Sequence, residues 1–167
     1  PVLVLAGSLS PMTARQVGAA TSYRHVLLDA ARLVKDVDYL VHMGDQIAAR
    51  LGDGEHVLAC TSGQGAAANA GTAADARALA QACGELLACI LKTVPVQRLG
   101  IAGGDTSSHA VQALDAWGLA YQAQLTPGVA LCRLHSDNDS LDGMEIMLKG
   151  GQMGADALFE ELLRGTG

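Results

Sequence analysis

Four times before residue 117, a short apolar run gives way to a loop and then to a segment with helical spacing. That alternation restricts the fold more than any single residue does. Strands joined through helices pair in parallel, because each helix carries the chain back to the edge where the strand began. Val2 to Ala6 is the first such run, stopped by Gly7-Ser8. Ser10-Pro11 then reads as a helix start, with Ser as N-cap and Pro at the first helical position, and the helix is expected to reach about Tyr23. His25 to Asp29 is a second strand. Val37, Leu40, Val41, Gly44, Ile47, Ala48 and Leu51 recur at helical spacing, ended by Gly52-Asp53-Gly54. His56 to Cys60 is a third strand, residues 61–71 a loop of small and polar residues, and Ala73 to Leu91 a long helix. After Pro95 come a fourth strand, Arg98 to Ala102, a tight loop from Gly103 to Ser107, and a helix from Ser108 to Ala116.

Beyond Gly118 the pattern changes. Leu119 to Leu125, Val129 to His135 and Met144 to Lys149 are strand-like runs with no helix between them. Thr126-Pro127-Gly128 and Asp137-Asn138-Asp139 supply turn chemistry. Gly150-Gly151-Gln152-Met153-Gly154 follows as another glycine loop, then a terminal helix from Asp156 to Arg164. The expected fold is α/β: a layered α/β/α sandwich whose sheet is mainly parallel, with antiparallel strands added in the C-terminal third. Residues 1–167 read as a single domain without internal repeats.

Half of the 167 residues are hydrophobic, only 3% are aromatic, and 20 are glycine. Such a core rests on small aliphatics, with short side chains where backbones come close. The formal net charge is −6 without an acidic block, which argues against non-specific binding to nucleic acid or to an anionic membrane. Aromatic platforms for stacking bases are scarce. Cys60, Cys83, Cys89 and Cys132 show no C-x-x-C spacing and read as buried reduced thiols in a cytoplasmic protein. His25, His42, His56, His109 and His135 are scattered without metal-ligand spacing, so no metal site is assigned to protein side chains.

Chemistry concentrates in the loops after strands, where open α/β sheets place their ligands. Gly7-Ser8-Leu9-Ser10-Pro11 leads a strand into a helix N-terminus, either as a plain capped turn or as a phosphate site offering Ser8 and Ser10. Gly63, Gly65 and Ala68 match G-x-G-x-x-A, but the first acid after the next strand is Asp105, too far on for a dinucleotide fingerprint. Gly103 and Gly104 let backbone N–H groups approach a ligand, with Thr106, Ser107 and Ser108 nearby. Asp105 could cap the helix or order a Mg²⁺ through water. No Walker A lysine is present. Lys149, at a strand end before Gly150-Gly151, either reaches a phosphate as a point charge or is a solvated lysine before a flexible turn.

The segments VLVLAGSLSPMTARQV, RLGIAGGDTSSHAVQAL, LTPGVALCRL and MLKGGQMGADALFEELL resemble, in order and spacing, the C-terminal nucleotide-binding domain of the four-carbon acid sugar kinase family. The last loop departs from the family's K-S-G-x-F-G, with Met153 in place of the Phe. The resemblance implies a two-domain, ATP-dependent kinase. Its N-terminal half would hold the acid sugar (a threonate, erythronate or 3-oxo-tetronate) and the general base, so no catalytic residue is expected in this chain. The C-terminal half would hold ATP and Mg²⁺ through Ser8, Ser10, Gly103, Gly104, Asp105, Thr106, Ser107, Lys149, Gly150 and Gly151. A small-molecule partner follows, with homo-oligomer formation left open. The rivals are another nucleotide or dinucleotide enzyme domain, and a non-catalytic module that keeps the fold without the ligand, such as a secretion-associated protein of the Hrp-labelled kind.

Overall fold

The computed structural model describes residues 1–7, 10–61 and 73–165. Its strands are β1 (Val2–Ala6), β2 (Arg24–Leu28), β3 (Val57–Thr61), β4 (Arg98–Ala102), β5 (Ala116–Thr126), β6 (Val129–Ser136) and β7 (Glu145–Lys149). Its helices are α1 (Pro11–Ala19), α2 (Ala30–Lys35), α3 (Val37–Gly52), α4 (Ala73–Thr93), α5 (Gly104–Ala113) and α6 (Leu158–Arg164). One sheet has the order β2-β3-β1-β4-β7-β6-β5. The pairs β2·β3, β3·β1, β1·β4 and β4·β7 are parallel, while β7·β6 and β6·β5 are antiparallel. The α/β sandwich and its antiparallel C-terminal addition are as the sequence suggests.

β1 explains the layering. All five of its residues are buried, as a central strand covered on both faces requires. Leu3 and Leu5 enter a cluster with Leu33 of α2, Ile47 of α3, Leu86 of α4 and Ala110 of α5. Val2, Val4 and Ala6 point the other way, into a second cluster with Leu158, Phe159 and Leu162 of α6 and the partly buried Val17 of α1. So α1 and α6 cover one face and α2 to α5 the other. The expectation of close backbones is met where α4 crosses α5: a Cβ on Gly84 would lie 3.0 Å from the His109 carbonyl oxygen.

Several boundaries move. Ser10 caps α1 as expected, its hydroxyl accepting from Thr13 N–H at 3.2 Å, but the helix ends at Ala19 rather than near Tyr23. The short α2 is not visible as periodicity. It is bracketed by two aspartates: Asp29 accepts from Arg32 N–H at 3.0 Å and Asp36 from Tyr39 N–H at 2.9 Å, which starts α3. α6 begins at Leu158, not Asp156. α5 starts at Gly104, four residues before the expected Ser108. Gly103 has φ +123°, which turns the chain from strand directly into helix, and Ser107 N–H bonds the Gly103 carbonyl at 2.8 Å. What reads as a tight loop is therefore an N-cap and a first helical turn. All four cysteines are unpaired; Cys60 and Cys83 are buried, whereas Cys89 and Cys132 are half-buried. Among the described residues, no helix is long and apolar enough to cross a membrane.

Phe159, the only phenylalanine, is completely buried between the sheet and α6. Phe159→Ala is expected to lower stability by about 3–5 kcal/mol in urea denaturation. Tyr121→Ser, at a side chain 69% exposed on the edge strand β5, serves as the control and is expected to stay within about 0.5 kcal/mol.

Candidate functional site

From β1 the chain winds through α1 and β2 to β3 on one side. It then crosses through α4 to β4 on the other side of β1. The order thus reverses between β1 and β4, and the crevice beyond their carboxyl ends is where such sheets bind ligands. The loops after both strands meet there. Gly7 N–H donates to the Ala102 carbonyl at 3.2 Å, Thr61 Oγ1 donates to the Gly7 carbonyl at 3.2 Å, and Gly103 N–H donates to the Lys149 carbonyl at 3.0 Å. A Cβ on Gly7 would lie 2.3 Å from Thr106 Oγ1, so the first loop and α5 close on each other only because residue 7 is glycine.

Of the residues singled out from sequence, Ser10, Gly103, Gly104, Asp105, Thr106, Ser107, Lys149, Gly150 and Gly151 come together along this edge. Ser8 and the Gly63, Gly65 and Ala68 loop lie outside the described residues. Gly103 at the N-cap of α5 has no side chain to cap it. Among the described residues, no side chain accepts from the N–H groups of Gly104, Asp105 or Thr106, which carry the positive end of the helix dipole. A Cβ on Gly104 would meet nothing within 4 Å, so the space above it is open. Asp105 is exposed in the first turn and is not the cap. Thr106 and Ser107 are buried, with Ser107 Oγ 3.5 Å from the Ile101 carbonyl, while the Ser108 hydroxyl bonds back to the Gly104 carbonyl at 3.2 Å.

Lys149 is neither solvated nor extended into the crevice. It is 3% exposed, and its Nζ turns toward α1. The ammonium donates to Gln16 Oε1 at 2.7 Å, to Thr13 Oγ1 at 2.9 Å and to the Gly151 carbonyl at 3.3 Å. All three acceptors are neutral, and Lys149 forms no ion pair among the described residues. Burial alone lowers its pKa from 10.5 to about 8. Ser10 also reaches the loop, its hydroxyl donating to the Gly151 carbonyl. Thr13 and Gln16 are the residues sequence reasoning missed. Both are fully buried, and with Ser10 they form a polar row at every third position on the inward side of α1. That row was the available signal. Among the described residues, no three His, Cys, Asp or Glu side chains gather where they could hold a metal ion.

Residues 3–159 match the family described as nucleotide-binding C-terminal domain. The chain is 31% identical over 180 residues to a 3-oxo-isoapionate kinase of Paraburkholderia graminis, covering 98% of this chain and 38% of that protein. A Haemophilus influenzae protein from a family of unknown function superposes with a TM-score of 0.82 at 26% identity, over 98% of this chain and 40% of that one. A domain of unknown function from Bordetella bronchiseptica, solved with citrate as a domain-swapped dimer, gives 0.78 at 23% identity, over 96% of this chain and 39% of that one. The chain thus spans about two fifths of the length of these relatives.

The depressed lysine pKa has a stability signature. Between about pH 8 and 10.5 the unfolded chain holds a proton on residue 149 that the folded chain has lost, so stability from this group rises with pH in that window and is flat below it. Thermal melts of the wild type against Lys149→Met are expected to diverge in the wild type's favour as pH climbs from 8 to 10. The slope is at most about 1.4 kcal/mol per pH unit. Parallel curves would mean that Lys149 titrates as a solvated side chain.

Proposed function

Since the chain belongs to the nucleotide-binding C-terminal domain family of the four-carbon acid sugar kinases, we propose that it holds the ATP of such a kinase. The acid sugar and the general base are then supplied by another part of the full-length protein. One observation carries this reading: the N-terminus of α5, uncapped among the described residues, opens at the point where strand order reverses, and the neighbouring loop covers a buried ammonium that has no counter-ion among those residues. Free N–H groups and an unneutralised positive charge side by side suit a polyphosphate.

On this reading Gly103 and Gly104 present backbone N–H groups to the phosphates, and the open space above Gly104 admits them. Gly150 and Gly151 flank the nucleotide. Ser10 acts indirectly, by holding Gly151. Lys149 contributes field rather than a direct bond, since its three protons are already placed. Bound Mg-ATP supplies the transferable phosphoryl group and a cation that offsets its charge. Asp105, exposed at the crevice mouth, is the carboxylate available to meet that cation through water. The chain's own work is to bind, orient and neutralise. The family implies a four-carbon acid sugar such as threonate, erythronate or a 3-oxo-tetronate as acceptor, and the kinase from Paraburkholderia graminis adds 3-oxo-isoapionate to the panel worth testing. Use of ATP places the reaction in the cytoplasm. The swapped dimer of the Bordetella protein makes self-association part of the same reading.

Isothermal titration with Mg-ATP, Mg-ADP and adenosine is expected to show affinity rising with phosphate number. Lys149→Ala removes a through-space charge and is expected to weaken ATP about tenfold, and more than it weakens adenosine. Added salt should alter this difference little, because the ammonium is buried. Gly104→Val, which places a side chain in open space, is expected to cost at least about tenfold in ATP affinity with the melting temperature retained. The chain by itself should turn over none of the acid sugars. Absence of ATP binding by the folded wild type would overturn the proposal.

A further inference from the structure

The segment from Gly150 to Ala155 contains three glycines and has no stiffness of its own. Side chains of α1 and its cap hold it, and Gln16 alone bonds two of its carbonyls among the described residues. Gln16 Nε2 donates one proton to the Met153 carbonyl at 3.0 Å and the other to the Ala155 carbonyl at 2.9 Å. Its Oε1 accepts from Lys149 Nζ at 2.7 Å. The amide therefore has a single workable orientation, with oxygen toward the ammonium and nitrogen toward the two carbonyls. Gly154, at φ +86°, is shaped to this contact: a Cβ there would lie 3.2 Å from Gln16 Nε2 and 2.8 Å from Leu158 Cδ2. No other natural side chain reproduces the pattern. Glutamate would set a carboxylate against two carbonyl oxygens, and methionine would leave two carbonyls and one ammonium proton without partners.

We propose that Gln16 is a positioning residue of the nucleotide site, joining the Lys149 ammonium to the backbone of the 150–155 segment so that Gly150 and Gly151 are held ready at the crevice. The assignment rests on the ATP reading above. Gln16 itself touches no substrate. It keeps the charge of Lys149 beneath the loop and keeps the loop in one conformation, so the ordering entropy is spent in folding rather than in binding. The other charged groups of the two elements stand apart from it. Arg15 of α1 and Asp156 after the loop pair with each other at 3.1 Å on the exposed side.

Two variants of the full chain test this, Gln16→Met and Gln16→Glu. Gln16→Met is expected to raise amide hydrogen exchange of residues 150–155 at least about tenfold and to weaken ATP by a similar factor, with β1 and β4 still protected. Gln16→Glu sets a carboxylate on the ammonium. The pH at which ATP affinity falls off, near 8 in the wild type if Lys149 governs it, is then expected to move upward, and affinity at neutral pH to drop. A purely structural glutamine would leave that midpoint in place. Unchanged exchange at 150–155 together with unchanged ATP affinity in folded Gln16→Met overturns the proposal. So does an unmoved midpoint in Gln16→Glu, which decides the matter if the methionine variant does not fold. If the wild type binds no ATP, the nucleotide reading fails by itself, and the exchange of residues 150–155 together with the Lys149 titration followed by NMR decides the role of Gln16.

Discussion

An ammonium group removed from water is costly unless every proton finds an acceptor, and Lys149 finds three, all of them neutral. Much else in the molecule is arranged around that requirement. α1 carries threonine and glutamine on a face that packing alone would fill with aliphatics. The loop after β7 turns back over its own strand end so that the Gly151 carbonyl can take part. The glycines of that loop permit the turn, and Ser10 both caps α1 and reaches the same carbonyl. The outcome is a positive charge that pairs with no carboxylate among the described residues. A salt bridge at this place would have stabilised the fold and cancelled the charge.

The frame of the molecule was legible because it depends on periodicity. Continuous apolar runs such as Val2 to Ala6 and helical spacing such as Val37 to Leu51 survive whatever the tertiary context does to their ends. The boundaries that moved are set by single residues acting through geometry. Gly103 shows this well, since its positive φ converts an apparent loop into the start of α5. Asp36 is another case, dividing α2 from α3 with one capping bond.

The candidate site was legible to the extent that strand order brings loops together. Ser10, Gly103 to Ser107 and Lys149 to Gly151 can be picked out because each cluster follows a strand-like apolar run, where open α/β sheets place their ligands. Thr13 and Gln16 do not stand out, because their importance lies in what they face. A polar residue on a short helix reads as solvated until its partners are known, and those partners are more than a hundred positions away. Lys149 stands out in the sequence as a charged strand end, and its surroundings do not. A lysine at a strand end is ordinarily wet, and only the fold of the following loop dries it.

The bonds from α1 to the end of β7 span 133 to 141 positions of a chain of 167. Contacts of that separation raise the contact order and are among the last that a folding chain can make. During synthesis the first βα unit leaves the ribosome long before the strand that completes it, and until β7 inserts between β4 and β6 the buried side of α1 has polar groups with no partners. A chain cut short before residue 145 would keep four of the five parallel strands and most of the apolar core, yet have neither ammonium nor final loop. Such a chain would carry on one face of its sheet a helix whose buried threonine and glutamine lack the partners that the finished protein gives them.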